Sequence, residues 1–266
     1  MRTPAATHAP APPGDPYFME SLARGLSVIR AFGDGRTGLT GAKVAAITGL
    51  SRAAARRCLH TLTVLGYATS VGGRYELTPA VLALGQSYLG TASLARIGQP
   101  VLERVSARIQ ESSGLAVLDE DDIVFVARAA ARRILSVAVS VGTRLPAACT
   151  STGRVLLAYG DDAARARFLS RVKLVRFTPR TIADRKGLVA ELERVRAQGY
   201  AIVDQELELG LRSIAVPVCR HDGAVRAALN VGVQAGRVDT RTLQREILPV
   251  LQEAAAEIAA RLRGRG

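Results

Sequence analysis

Two helical segments separated by a single glycine-containing turn constrain this chain most. The segment GAKVAAITG ends at Gly49, and SRAAARRCLHTLTVLG runs from Ser51 to Gly66. Thr40 and Ser51 precede the two apolar patterns, where a hydroxyl can accept a hydrogen bond from an otherwise unpaired first-turn N–H. In the second helix Ala55, Cys58, Leu59, Leu62 and Leu65 recur at three- and four-residue steps, so Arg52, Ala53, Arg56, Arg57 and His60 fall on the opposite face. That face is cationic in its N-terminal half and has no acidic residue. A short helix, a tight turn and a longer basic helix form a helix-turn-helix. The longer helix offers arginines to guanine edges, with small alanines allowing close approach. Read alone, the same face also suits a solvated helix of any globular domain.

The flanking segments favour the DNA-binding reading. SLARGLSVIRAFG predicts a first helix with a serine cap and with Leu22, Leu26, Ile29 and the Ala31/Phe32 pair on one face, closed by Gly33 and Gly35. After the basic helix, YATSVGGRYELTP alternates about Gly72-Gly73, a pair suited to the positive φ angles of a tight hairpin. This hairpin is a wing, and Arg74 at its tip is placed to reach phosphate or the minor groove. The candidate DNA contacts are Thr40, Ser51, Arg52, Ala53, Arg56, Arg57 and Arg74. PAVLALGQSYLGTASL, from Pro79 to Leu94, is too apolar for a free helix and reads as a connector that buries one side on a partner chain or the next domain.

Composition limits the alternatives. The 266 residues are 48% apolar and 22% charged, enough for a sizeable core. No run of about 20 apolar residues predicts a membrane span. The opening MRTPAATHAPAPPGDP lacks an apolar core and reads as a disordered tail rather than a signal peptide. Cys58, Cys149 and Cys219 are widely spaced and read as buried thiols in a reducing cytoplasm. The net charge of +13 is spread over the chain, +5 in residues 1–95 and +8 in the rest, so the placement of charge says more than its total.

The second half reads as α+β. Ala95 to Ser113 is an amphipathic helix, and LAVLD, IVFVARA, ILSVAVSV, YAIVD, SIAVPVC and AALNVGV are six short strands. A helix from Thr240 to Arg263 closes the chain. No nucleotide, metal or nucleophile motif appears, and three scattered histidines assemble no site, so no cofactor or metal and no enzyme activity are expected. CTSTGR, Cys149 to Arg154, leads from a strand into a helix. Thr150, Ser151 and Thr152 there form either a carboxylate cradle or ordinary caps.

SLARGLSVIRAFG, the helix pair, GGRYELTP, GTRLPAACTSTGRVLLA and GYAIVDQELELGLRSIAVPV resemble, in that order, the IclR family of bacterial transcriptional regulators. They are most similar to its branch governing aromatic-acid catabolism. The resemblance covers roughly residues 17–262. It implies a winged helix-turn-helix domain over 17–79 after the 1–16 tail, a linker helix over 80–94, and a GAF-like effector-binding domain over 95–266. It also makes the Thr150–Thr152 turn part of an effector pocket, with Ile134 and Val137 as apolar wall and Asp204, Ser213 and Asn230 as polar contacts. Arg128 and Arg212 become candidate partners for an anionic acid, with a plain strand salt bridge as the alternative for each. Glu206 and Glu208 are expected to hold their own loop. The implied partners are double-stranded operator DNA, a small carboxylate effector and a second copy of the chain as a homodimer or dimer of dimers, with RNA polymerase as a further candidate and no membrane. An architectural DNA binder would explain only the first half, and an enzyme only the second.

Overall fold

The structure is a computed structural model that describes residues 15–33, 36–85, 93–131, 139–219 and 223–263. The chain forms two compact units that divide between residues 91 and 92.

The first unit is a three-helix head with a small sheet. Helix α1 spans Glu20–Arg30, α2 Gly41–Thr48 and α3 Arg52–Val64. Val28, Ala31 and Phe32 pack with Val44, Ala55, Leu59 and Leu62, all buried. Fully burying a side chain such as Leu59 stabilises the head by about 1.5–3 kcal/mol. The hairpin pairs β2, Ala68–Val71, with β3, Arg74–Leu77, across Gly72 and Gly73, whose φ angles of 57° and 74° suit the turn that matches strand twist. A two-residue strand β1, Leu39–Thr40, adds to β3, and the sequence offers no sign of it.

Several boundaries differ from the sequence expectation. Helix α1 starts one residue before Ser21, its N-cap is Met19, and no side chain caps it. Leu22 and Leu26 are exposed rather than buried. It is Ala23 and Ser27 that face the α2–α3 turn around Leu50 and Ala54. Leu65 is exposed because α3 ends at Val64 and the chain swings out at Gly66. In the connector, one 3-10 turn at Pro79–Val81 is capped by Thr78, residues 82–85 are helical, and Leu82 and Leu84 stand exposed. The rest of that expected helix, from 86, lies outside the described residues up to Ser93, the first residue of the next helix.

Among the described residues, the second unit is built on a six-stranded antiparallel sheet. Its strands are β4 (Ser112–Asp119), β5 (Asp122–Ala129), β6 (Arg144–Pro146), β7 (Ala201–Asp204), β8 (Leu211–Cys219) and β9 (Val225–Gln234). Their order across the sheet is β6-β5-β4-β9-β8-β7. Among the described residues the third strand of this unit is Arg144–Pro146, and most of the expected strand ILSVAVSV lies outside the described residues. Helix α4 (Ser93–Ile109) and the terminal helix Leu248–Arg263 contact the sheet and each other, while α5 (Ser151–Tyr159) packs on β8 and β9 together with the helix Arg185–Gln198. Helix α4 ends four residues before Ser113 because Gln110 takes a left-handed φ of 58° and Ser112 joins β4. Of the three cysteines only Cys149 is buried, and Cys58 and Cys219 are half-exposed.

Candidate functional site

The head presents a basic face. Ser51 Oγ accepts from Ala54 N at 3.2 Å and Thr40 Oγ1 from Lys43 N at 3.3 Å, so both expected caps form. These bonds start α2 and α3 at fixed positions. Arg52, Ala53, Arg56, Arg57 and His60 are all exposed along α3, which carries no acidic residue. Arg74 pairs across the sheet with Thr40 and donates to the Gly38 carbonyl at 3.0 Å. Its guanidinium is therefore tied to the loop before α2 rather than extended from the wing tip.

The second unit encloses a cavity of about 830 Å³ between one face of the sheet and the start of α5. Two rows of paired residues on adjacent strands lie on that face. One row runs Arg128, Gly114, Asn230, Ala215, and the next runs Ser112, Gly232, Ser213. Their small members leave room that α5, which begins only at Ser151, does not fill. A bulge in β5 sets Phe125 opposite Ala116 and Arg128 opposite Gly114, so two residues three apart both face the cavity. A Cβ on Gly114 would lie 2.6 Å from the Phe125 ring and 2.9 Å from Asn230 Oδ1, so glycine alone fits there.

Thr150, Ser151 and Thr152 form the cavity wall at the N-terminus of α5, all buried. Thr150 Oγ1 accepts from Gly153 N at 3.2 Å and caps the helix. Gly153 is required by its surroundings: a Cβ would stand 2.1 Å from the Ala147 carbonyl oxygen, and backbone there cannot yield. Neighbouring Cys149 also lines the cavity, and burial pushes its thiol up to about 12, so it is no nucleophile. Burial also lowers the pKa of the Arg128 guanidinium.

Arg128, Ser213, Asn230 and the Thr150–Thr152 turn thus come together around one space. Ile134 and Val137 lie outside the described residues. Asp204 and Arg212 do not belong to the cavity wall. Arg212 Nε donates to Asp204 Oδ1 at 2.8 Å and its guanidinium bonds the Ala235 and Val238 carbonyls, while Arg180 takes the other Asp204 oxygen. Opposite charges paired across neighbouring strands satisfy one another and turn away from a ligand. Glu208 lines the cavity, whereas Glu206 is buried in a fork with Arg154, at 2.7 and 2.6 Å. Sequence reading missed that pair and the apolar walls Phe125, Leu145, Val203 and Leu207. Arg154 precedes the apolar run VLLA in a helix that is buried from Ser151 to Ala158, a placement that demands a buried counter-charge.

Two family descriptions match the chain. The IclR helix-turn-helix domain covers residues 21–72, and the bacterial transcriptional regulator IclR C-terminal domain covers 86–260. The chain belongs to the IclR family. It is a DNA-binding transcriptional regulator, with the α2–α3 unit as its helix-turn-helix and the six-stranded sheet as its regulatory domain. Among IclR-family relatives, the Pca regulon regulatory protein of Pseudomonas putida is 50% identical over 94% of this chain and 87% of its own length. The p-hydroxybenzoate hydroxylase transcriptional activator of Acinetobacter baylyi is 38% identical over 91% of each. A crystal structure of an IclR homolog from Microbacterium hydrocarbonoxydans, complexed with 4-hydroxybenzoate, superposes with a TM-score of 0.79 at 28% identity, covering 92% of this chain and 99% of that one.

Proposed function

We propose that this regulator controls genes of aromatic-acid catabolism, and that a small carboxylate from that chemistry occupies the cavity over the sheet and alters its affinity for operator DNA. Residues 17–79 are the DNA-binding domain, 80–94 the linker and 95–266 the effector domain. Thr40, Ser51, Arg52, Ala53, Arg56 and Arg57 meet DNA along α2 and α3, with Arg74 supporting them through Gly38. Arg128, Thr150, Ser151, Thr152, Ser213 and Asn230 line the effector site. The protein acts in the cytoplasm as a homodimer or dimer of dimers that meets RNA polymerase on the promoter.

The cavity itself carries this reading. A largely apolar space with a few converging polar groups suits a small carbon skeleton bearing an anion. The 4-hydroxybenzoate complex of the Microbacterium hydrocarbonoxydans homolog supports the ligand class. The test is a thermal shift screen with aromatic and keto acids, followed by operator binding with and without each hit. A ligand at a hundred times its dissociation constant raises native stability by about 2.7 kcal/mol. A chain stabilised by no acid, or one whose DNA affinity ignores every acid that binds, overturns the proposal.

A further inference from the structure

Helix α4 is the first described element after the division near residue 91. It packs on the side of the sheet away from the cavity: a Cβ on Gly98 would stand 2.6 Å from Leu115 Cδ2, and Leu115 points away from the face that Gly114 shares with the cavity. Val101, Leu102 and Val105 are buried in the same helix, so most of the contact is apolar. Polar bonds cross it at two places. Gln99 Oε1 accepts from Arg128 N at 3.2 Å, and Gln99 Nε2 donates to the Arg128 carbonyl at 3.1 Å. The same Nε2 donates to Glu103 Oε1 at 2.9 Å, which fixes the direction in which the amide points. Two turns on, Ser106 Oγ lies 3.2 Å from the Ala129 carbonyl and 2.8 Å from Ser113 Oγ. Among the described residues β6 covers the outer edge of β5 only as far as Phe125, so at Arg128 the Gln99 amide does what a neighbouring strand would do.

Pro100 stands inside α4, between these two anchors. Its ring offers no N–H, so the rung that would tie residue 100 to the Arg96 carbonyl is missing and the helix is weakest there. Gln99 is the last residue before that weak point, on the segment that continues from the head, and Arg128 lines the cavity. Resting on the functional reading above, we infer that Gln99 couples the cavity to the head: it ties the backbone of a cavity-wall residue to the segment of α4 before Pro100, so a ligand that shifts Arg128 swings that segment about the proline and changes operator affinity. A ligand biases an equilibrium only through contacts that differ between two states. The apolar contact of residues 101–109 is non-directional and tolerates a small slide. A doubly bonded amide tolerates little, because hydrogen bonds weaken steeply as distance and angle depart from their optimum. Gln99 therefore follows β5 at Arg128, and Pro100 absorbs the movement without breaking a helical rung.

The test uses the full-length protein, operator DNA and 4-hydroxybenzoate, or, where that is not bound, the acid that stabilises wild type most in the thermal screen. Operator affinity is measured with and without the acid, and acid affinity with and without operator; for one coupling the two ratios agree. Wild type gives a ratio of about fivefold or more. Gln99→Met keeps the length of the side chain and loses both bonds, so it still binds acid and operator while the ratio falls to within about twofold of one. Gln99→Glu turns an oxygen towards the Arg128 carbonyl and Glu103 and loses the response in the same way. Ser106→Ala lowers the Tm but keeps the wild-type ratio, which separates coupling from a general loosening of the helix. With no acid present, the Arg128 amide exchanges slowly with solvent in wild type and faster in Gln99→Met. A wild-type ratio in Gln99→Met, a loss in Ser106→Ala as large as in Gln99→Met, or fast Arg128 exchange in wild type overturns the inference. Wild type that binds no acid in the thermal screen overturns the functional reading beneath it, a result distinct from an acid response that survives Gln99→Met.

Discussion

Arg154 is 1% exposed, the largest of the fully buried side chains, and every donor group it carries is engaged. Nε donates to the Ala148 carbonyl at 3.1 Å, and the two terminal nitrogens grip Glu206. Glu206 also accepts from Ile182 N at 2.9 Å, and Glu191 stands 3.5 Å from Arg154. The fork joins the helix that bears Ser151 to the loop that bears Leu207 and Glu208, two walls of the same cavity. Replacing one partner of a buried pair strands the other charge, so Glu206→Ala is expected to cost about 3–5 kcal/mol in urea denaturation. Glu257→Gln breaks the exposed Arg104–Glu257 pair and is expected to cost no more than about 1 kcal/mol, since water already screens it. Similar losses in the two variants would remove Arg154 from the structural centre of this domain.

At the scale of elements, α3 is divided along its length. Its buried stripe of Ala55, Leu59 and Leu62 anchors it to α1 and α2, and its opposite face carries Arg52, Arg56 and Arg57 to solvent. Substituting all three arginines with alanine leaves the stripe intact, so the head stays folded while operator affinity falls. Removing an arginine that only touches phosphate flattens the dependence of log affinity on log salt by about one unit, and removing a base-reading arginine costs about 1–3 kcal/mol at a single operator position. Salt titrations of the single and triple variants against operator and scrambled DNA separate these roles. Operator affinity equal to wild type in the triple variant would take this face out of the interface.

For the whole molecule, the division near residue 91 leaves each unit with its own apolar core. The described residues that line the cavity all fall between 111 and 237. The segment Ala95–Gly266 is therefore expected to unfold as one cooperative transition and to bind the acid without DNA, as calorimetry on the isolated segment would measure. Binding confined to the full-length chain would show that the effector site needs the head.

Much of this was legible in the sequence because it depends on local physics. Capping hydroxyls at Thr40, Ser51 and Thr150, the period of the α3 stripe and the glycine pair of the hairpin act within a few residues, and sequence spacing reports such interactions directly. The family pattern supplied the two-domain plan and the neighbourhood of the cavity. Only the fold decided which polar residues face that cavity. Arg128 and Arg212 look alike as strand arginines, yet Arg212 finds Asp204 one strand away while Arg128 faces Gly114 and keeps its Nε unpaired. A bulge of one residue in β5 and the register of β4 against β9 make that difference. Register is set by packing across the whole sheet, which no short stretch of sequence contains.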